Sequence, residues 1–176
     1  MCVAIRFWTI VGLLATASLL QAQSFPTASR AGDLSIGAGY AVAKPDYGTD
    51  NFKGFTGYAD FDFFHNLGVE LNFRFLKGPQ KDLYEKTYEA GVRYHRNYGR
   101  FAPYGKIMIG RGVFNYQNSV ANLAYNMAAA GGGVDCKVIK PYITVRADAE
   151  YQRWSGFPPN GLTPIVGYVG VAYHFH

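Results

Sequence analysis

Two features common in folded proteins are missing from this 176-residue chain once its first twenty residues are passed. No later segment approaches the ~20 consecutive apolar residues of a membrane helix, and none repeats apolar residues at helical spacing. Cysteine is nearly absent. Cys2 lies in a segment expected to be removed, so Cys136 is left alone, no internal disulfide can form, and the thiol is expected to act as a small buried apolar residue. The four histidines are His65, His95, His174 and His176, and none sits beside a serine in a catalytic pattern. His174 and His176 share a strand face at a spacing compatible with metal. Without a cysteine partner, however, the four read as independent residues at one rim. Neither enzyme activity, metal nor cofactor is expected. Acidic residues are few, 12 against 17 Lys and Arg. Because the basic residues are scattered rather than gathered in a stripe, nucleic acid is not an expected partner. The run Ala128 to Gly133 lacks the Lys-Ser/Thr pair of a phosphate loop. It reads as close strand approach and a bend.

The beginning of the chain carries a different signal. Met1 to Arg6 holds one positive charge, Phe7 to Leu20 is almost wholly apolar, and Leu20-Gln21-Ala22 offers a small residue for cleavage. This is the pattern of a secretory signal peptide. Residues 1–22 are expected to be removed and residues 23–176 to form one domain. Gly, Tyr and Phe are abundant there, with 21, 14 and 13 in the whole chain.

Alternation is the organising pattern. In Pro141 to Trp154, Ile143, Val145, Ala147, Ala149 and Tyr151 fall on one face, and Thr144, Arg146, Asp148, Glu150 and Gln152 on the other. Such a strand has one apolar and one ionic face over about ten residues, the length of a membrane-crossing strand. The pattern recurs. Asp60 and Asp62 oppose Phe55, Phe61 and Phe63; Glu70 and Arg74 oppose Val69, Leu71 and Phe73; Glu85, Glu89 and Arg93 oppose Tyr88, Ala90 and Val92. Lys106 opposes Ile107 and Ile109. The segment from Leu123 to Cys136 alternates too weakly for a face to be assigned. A first strand from Leu34 and a last from Ile165 bring the count to eight, separated by turn-forming residues at 47–51, 77–82, 115–122 and 155–161. The predicted fold is all-β, an eight-stranded antiparallel up-and-down transmembrane barrel.

With its eight alternating strands, the chain resembles the OmpA-like or opacity-type family of small bacterial outer-membrane barrels. The most specific element is the C-terminal strand, where Val169, Val171, Tyr173 and Phe175 resemble the aromatic-ended signal for barrel assembly. The chain departs from that pattern by ending on His176. The resemblance implies residence in the bacterial outer membrane, outer-membrane lipid around the wall, and the barrel-assembly machinery as a partner of the last strand. A surface partner is not identified.

The inward residues are then expected to form a lumen ion-pair network of Asp60, Asp62, Glu70, Arg74, Glu89, Arg93, Lys106, Arg146, Asp148 and Glu150, because eight strands leave an interior just wide enough for side chains. A narrow lumen implies a structural or surface-interaction role and at most a small pore, with conductance rising on Arg146→Ala. The alternative is a soluble secreted, lipocalin-like barrel binding an apolar ligand, which would place its ions outside. Replacing Val145 or Ala147 by Arg distinguishes the two. If that face meets the bilayer midplane, the substitution is expected to cost ~2–4 kcal/mol in urea-monitored folding into lipid vesicles. Folding indifferent to Val145→Arg removes the lipid-facing assignment.

Overall fold

The computed structural model describes residues 32–46, 50–79, 83–116, 121–139, 142–158 and 160–175. The expected leader, residues 1–22, and His176 lie outside the described residues. Eight strands follow in chain order: β1 (Asp33–Lys44), β2 (Phe52–Asp62), β3 (Leu67–Lys77), β4 (Tyr84–His95), β5 (Phe101–Tyr116), β6 (Ala121–Ile139), β7 (Ile143–Ser155) and β8 (Ile165–Phe175). Each pairs antiparallel with its sequence neighbours, and β8 returns to β1 to close the barrel. Closure leaves no unpaired edge. Among the described residues there is no helix. The predicted eight-stranded antiparallel up-and-down barrel is the observed fold.

Strand length fits a bilayer. The shortest strands have 11 residues, about 36 Å at ~3.3 Å per residue. A tilt of ~40° leaves about 28 Å along the barrel axis, enough for an apolar band ~25 Å tall. The two faces are inverted relative to a soluble barrel. Outward Ile107, Ile109 and Val169 are 65%, 69% and 61% exposed, whereas inward Arg74, Glu70 and Arg146 are 0%, 0% and 1% exposed.

Several strands outrun their expected ends. β5 continues to Tyr116 and β6 runs from Ala121 to Ile139, so the connection expected at 115–122 shrinks to 117–120, and β6 extends three residues past Cys136, where its sequence segment ends. Polar residues there end the sequence alternation but not the hydrogen-bond ladder, which continues past the apolar wall. Cys136 differs from expectation as well. It stands opposite Phe101 and Val145 on the outward parity of β6 and is half-buried rather than enclosed.

Glycines make room for large interior groups. In β6, a Cβ on Gly133 would strike the Ala147 carbonyl and the Tyr104 hydroxyl, which accounts for the glycine run by close approach. In β5, a Cβ on Gly112 would lie 2.5 Å from carbons of the Trp154 ring. Gly112→Ala is therefore expected to cost about 1–3 kcal/mol through overpacking. Trp154→Phe shortens the ring and should cost less in the Gly112→Ala background than alone, as read by a double-mutant cycle of urea unfolding. Strict additivity would show that the two sites are not in contact.

Candidate functional site: an ion-paired lumen beneath an apolar cap

β7 is the spine of the interior. One end of the barrel, the terminus end, holds the start of β1, the end of β8 and three connections. The other, the loop end, holds the remaining four. Rising from the terminus end, the inward side chains of β7 are Thr144, Arg146, Asp148, Glu150, Gln152 and Trp154, all buried. Period-two alternation turns one ten-residue stretch into a column of charge along the barrel axis.

Around this column the other strands supply partners. Arg146 donates from Nε to Asp135 at 2.6 Å, from Nη2 to Asp60 at 2.6 Å and from Nη1 to Glu70 at 3.2 Å. Arg93 reaches the same Asp60 and Asp135 at 2.7 and 2.8 Å. Above them, Lys106 Nζ lies 2.9 Å from Glu70, 3.0 Å from Asp148 and 3.2 Å from Glu150. Arg74 forks onto Glu150 with two bonds of 2.9 Å and donates to Glu89 at 2.6 Å. The pairs therefore form one connected cluster from Arg93 to Glu89.

Formal charge does not balance within it, since six carboxylates face four cations. Neutral donors meet the excess: Ser35 donates to Asp60 at 3.1 Å, Tyr104 to Asp148, and Gln152 to Glu150 and Glu89 at 2.8 and 3.2 Å. The Arg146 guanidinium also stacks 4.3 Å from the Tyr58 ring centre and 4.9 Å from that of Tyr104, where the aromatic faces favour a cation. Each buried ion costs several kcal/mol to desolvate. Two or more carboxylates on every cation offset that cost.

Of the lumen residues named from sequence, Asp60, Glu70, Arg74, Glu89, Arg93, Lys106, Arg146, Asp148 and Glu150 lie in this cluster. Asp62 stands apart. It ends β2 at the terminus mouth, where its carboxylate is 3.6 Å from His95 Nδ1. Asp135 was missed because its segment showed no assignable face; as the lone carboxylate in β6, it was the available clue. At the same mouth a cavity of about 240 Å³ is lined by Asp33, Asp62, Arg93, His95, Thr144 and His174. His95 and His174 thus share one pocket rather than standing independently. Among the described residues no group of three or more His, Cys, Asp or Glu could hold a metal ion.

The loop end is closed differently. Phe52, Leu76, Phe114, Met127, Trp154 and Leu162 form a buried apolar cluster. Trp154 N–H and C=O both bond to Leu162 in the β7–β8 connection, at 2.8 and 3.2 Å, while its indole N–H donates to Gln152 Oε1 at 3.0 Å. Gln152 therefore couples cap to charge cluster. On β8, Val169, Val171, Tyr173 and Phe175 all face outward.

An eight-stranded closed meander with charges inside and an apolar wall outside has the architecture of the small outer-membrane barrels. Among solved structures, Neisserial surface protein A matches with a TM-score of 0.68 at 14% identity, covering 83% of this chain and 98% of that one. The attachment invasion locus protein Ail of Yersinia pestis matches with a TM-score of 0.60 at 20% identity over 83% of this chain and 100% of its own. Its backbone structure in a phospholipid bilayer nanodisc gives a TM-score of 0.51 at 22% identity, covering 82% and 99%. At these identities the likeness is one of fold. No family model and no curated protein matches the chain.

Because Arg146 serves Asp60, Glu70 and Asp135 together, Arg146→Ala is expected to cost about 3–5 kcal/mol, the cost of leaving buried charge uncompensated. Val145→Ala, one residue away on the outer wall, should cost far less. Urea unfolding from phosphatidylcholine vesicles, followed by Trp154 fluorescence, measures both.

Proposed function

We propose that the chain is an integral outer-membrane barrel with a structural or surface-interaction role and a lumen closed to bulk solute. The observation that carries this reading is the inversion of faces: exposed Ile, Val, Phe and Tyr form the wall, and acidic and basic side chains fill the interior. A soluble barrel holding an apolar ligand needs the opposite arrangement. The reading is non-catalytic, since each of the six carboxylates of the cluster contacts a cation. The outward Val169, Val171, Tyr173 and Phe175 of the closing strand support β8 as the segment offered to the assembly machinery. Residues 1–22 as an export signal complete the route to the outer membrane. Fractionation tests the reading directly. The protein should sediment with membranes and be released by detergent but not by high salt or carbonate, whereas recovery in the soluble fraction sinks the proposal.

The cap changes the expectation for conduction. Freeing the carboxylates by Arg146→Ala removes ionic packing but leaves an apolar constriction that excludes water. Planar-bilayer recordings should therefore show no stable conductance for the unmodified chain or for Arg146→Ala alone, and small intermittent openings only when Trp154→Ala is added. Stable porin-like conductance from the unmodified monomer would overturn the closed lumen.

A further inference from the structure

The outer wall is not symmetric from end to end. At the loop end, Lys44, Lys53, Lys77, Lys86, Arg111 and Arg153 occupy outward positions on six of the eight strands: β1, β2, β3, β4, β5 and β7. Each stands two residues beyond an outward apolar residue, such as Phe55 before Lys53, Phe75 before Lys77 and Tyr151 before Arg153. Lys53 and Lys77 are directly opposed across the β2–β3 ladder, a like-charge pairing that is unfavourable by itself. Among the described residues no carboxylate forms an ion pair with any of the six. The Lys86 ammonium instead lies over the rings of Phe75 and Tyr84 at 5.5 and 4.8 Å, and Lys77 over Phe75 at 5.8 Å. At the terminus end the outward rim is aromatic, with Phe61, Tyr94, Phe101, Tyr173 and Phe175. Its basic Arg96 and Arg100 belong to a connection rather than to the wall.

No described strand places a carboxylate on the outward apolar wall. Acidic side chains on β2, β3, β4, β6 and β7 turn inward, and Asp46 at the loop end accepts from Thr163 at 2.9 and 2.7 Å. At this depth the outward wall carries cations and, among the described residues, no carboxylate; Asp50 is exposed in the β1–β2 connection beyond it. Such a girdle, set where an apolar band ends, is complementary to a layer of phosphates at headgroup depth.

We propose that this girdle binds the phosphate groups of an anionic membrane lipid in the leaflet at the loop end, chiefly through Lys53, Lys77 and Lys86 on adjacent strands. The inference rests on the membrane-barrel reading, and it adds a lipid class and a side. Lys53 and Lys77 form the centre of the site, because one phosphate between them turns a repulsive pair into two charge-assisted contacts.

The test uses the whole folded chain in phosphatidylcholine vesicles and in zwitterionic micelles, with diphosphorylated lipid A and phosphatidylglycerol as probes and inorganic phosphate as competitor. Failure to insert into phosphatidylcholine vesicles overturns the membrane reading itself. Given insertion, lipid A titrated into the micellar protein should bind saturably and weaken with rising salt. The triple variant Lys53→Gln, Lys77→Gln, Lys86→Gln should lose roughly 10- to 100-fold in affinity. The control Arg96→Gln, Arg100→Gln should bind as the unmodified chain, and inorganic phosphate at equal phosphate concentration should not displace the lipid. Heat-modifiable mobility on gels checks that each variant is folded. Equal affinity of the triple variant and the control, salt-independent binding, or full displacement by inorganic phosphate overturns the girdle while leaving the membrane barrel intact. If the triple variant does not fold, the single Lys77→Gln replaces it, with a loss of several-fold expected and no loss counting against the proposal.

Discussion

Everything inside this barrel depends on one constraint: a charge removed from water must find its counter-charge within hydrogen-bonding reach. Eight strands enclose only enough space for side chains, so no water-filled channel can screen Arg146 or Lys106. An adjacent strand supplies part of the answer, as Asp135 on β6 does for Arg146, and strands on the far side of the bore supply the rest. Arg74 on β3 thus meets Glu150 on β7, and Arg146 on β7 meets Asp60 on β2. These contacts cross the lumen rather than follow the ladder, tying together strands that share no backbone hydrogen bond. The ion pairs are therefore a device of closure. Replacing them with apolar groups of equal volume can preserve stability in other proteins, but here it would also remove the only polar face that tells each strand which side is inside.

The same constraint sorts charge over the whole molecule. Carboxylates gather in the bore, where four cations and several hydroxyl and amide donors hold them. Of the remaining described cations, all but Lys137 at the terminus mouth appear at the loop end of the outer wall or in connections. A modest excess of basic residues in the composition thereby becomes a steep gradient in space: a slightly acidic interior, an uncharged apolar wall and a basic shoulder. Net charge alone would not reveal it.

Legibility in the sequence followed the strength of alternation. β7 was readable from its side chains alone, because five apolar and five polar positions interleave without a break. β2, β3 and β4 were nearly as clear. β6 was opaque from Leu123 to Cys136, where alanine and glycine occupy both faces because Tyr104 and the β7 backbone need the room. Asp135 was lost with it. The cap was hidden for a different reason. Phe52, Leu76 and Trp154 fall on inward parity beside ionic residues, and alternation alone cannot tell an apolar interior position from an irregular strand end. Asp62 shows the reverse limit, since parity placed it inward but not how near the mouth it lies. Strand pairing across a closed bore is a property of register, which no local pattern contains.

Register is also where the two halves of the interior act together. Slipping β7 by one residue against β6 and β8 would turn Arg146, Asp148 and Glu150 toward the wall and bring Val145, Ala147 and Ala149 into the bore. In a soluble barrel such a slip costs buried apolar area. In a bilayer it additionally turns Arg146, Asp148 and Glu150 toward hydrocarbon, which costs up to ~2–4 kcal/mol for an arginine at the midplane and less for the carboxylates. The misregistered strand would also lose Trp154 from the cap and the Gln152 bond that joins cap to cluster. The ionic lumen therefore penalises a one-residue slip, and the apolar cap rewards the right register with roughly 1.5–3 kcal/mol for each large side chain fully buried. A barrel with only the first would be well specified but weakly held at its loop end; one with only the second would tolerate slippage of its charged strands.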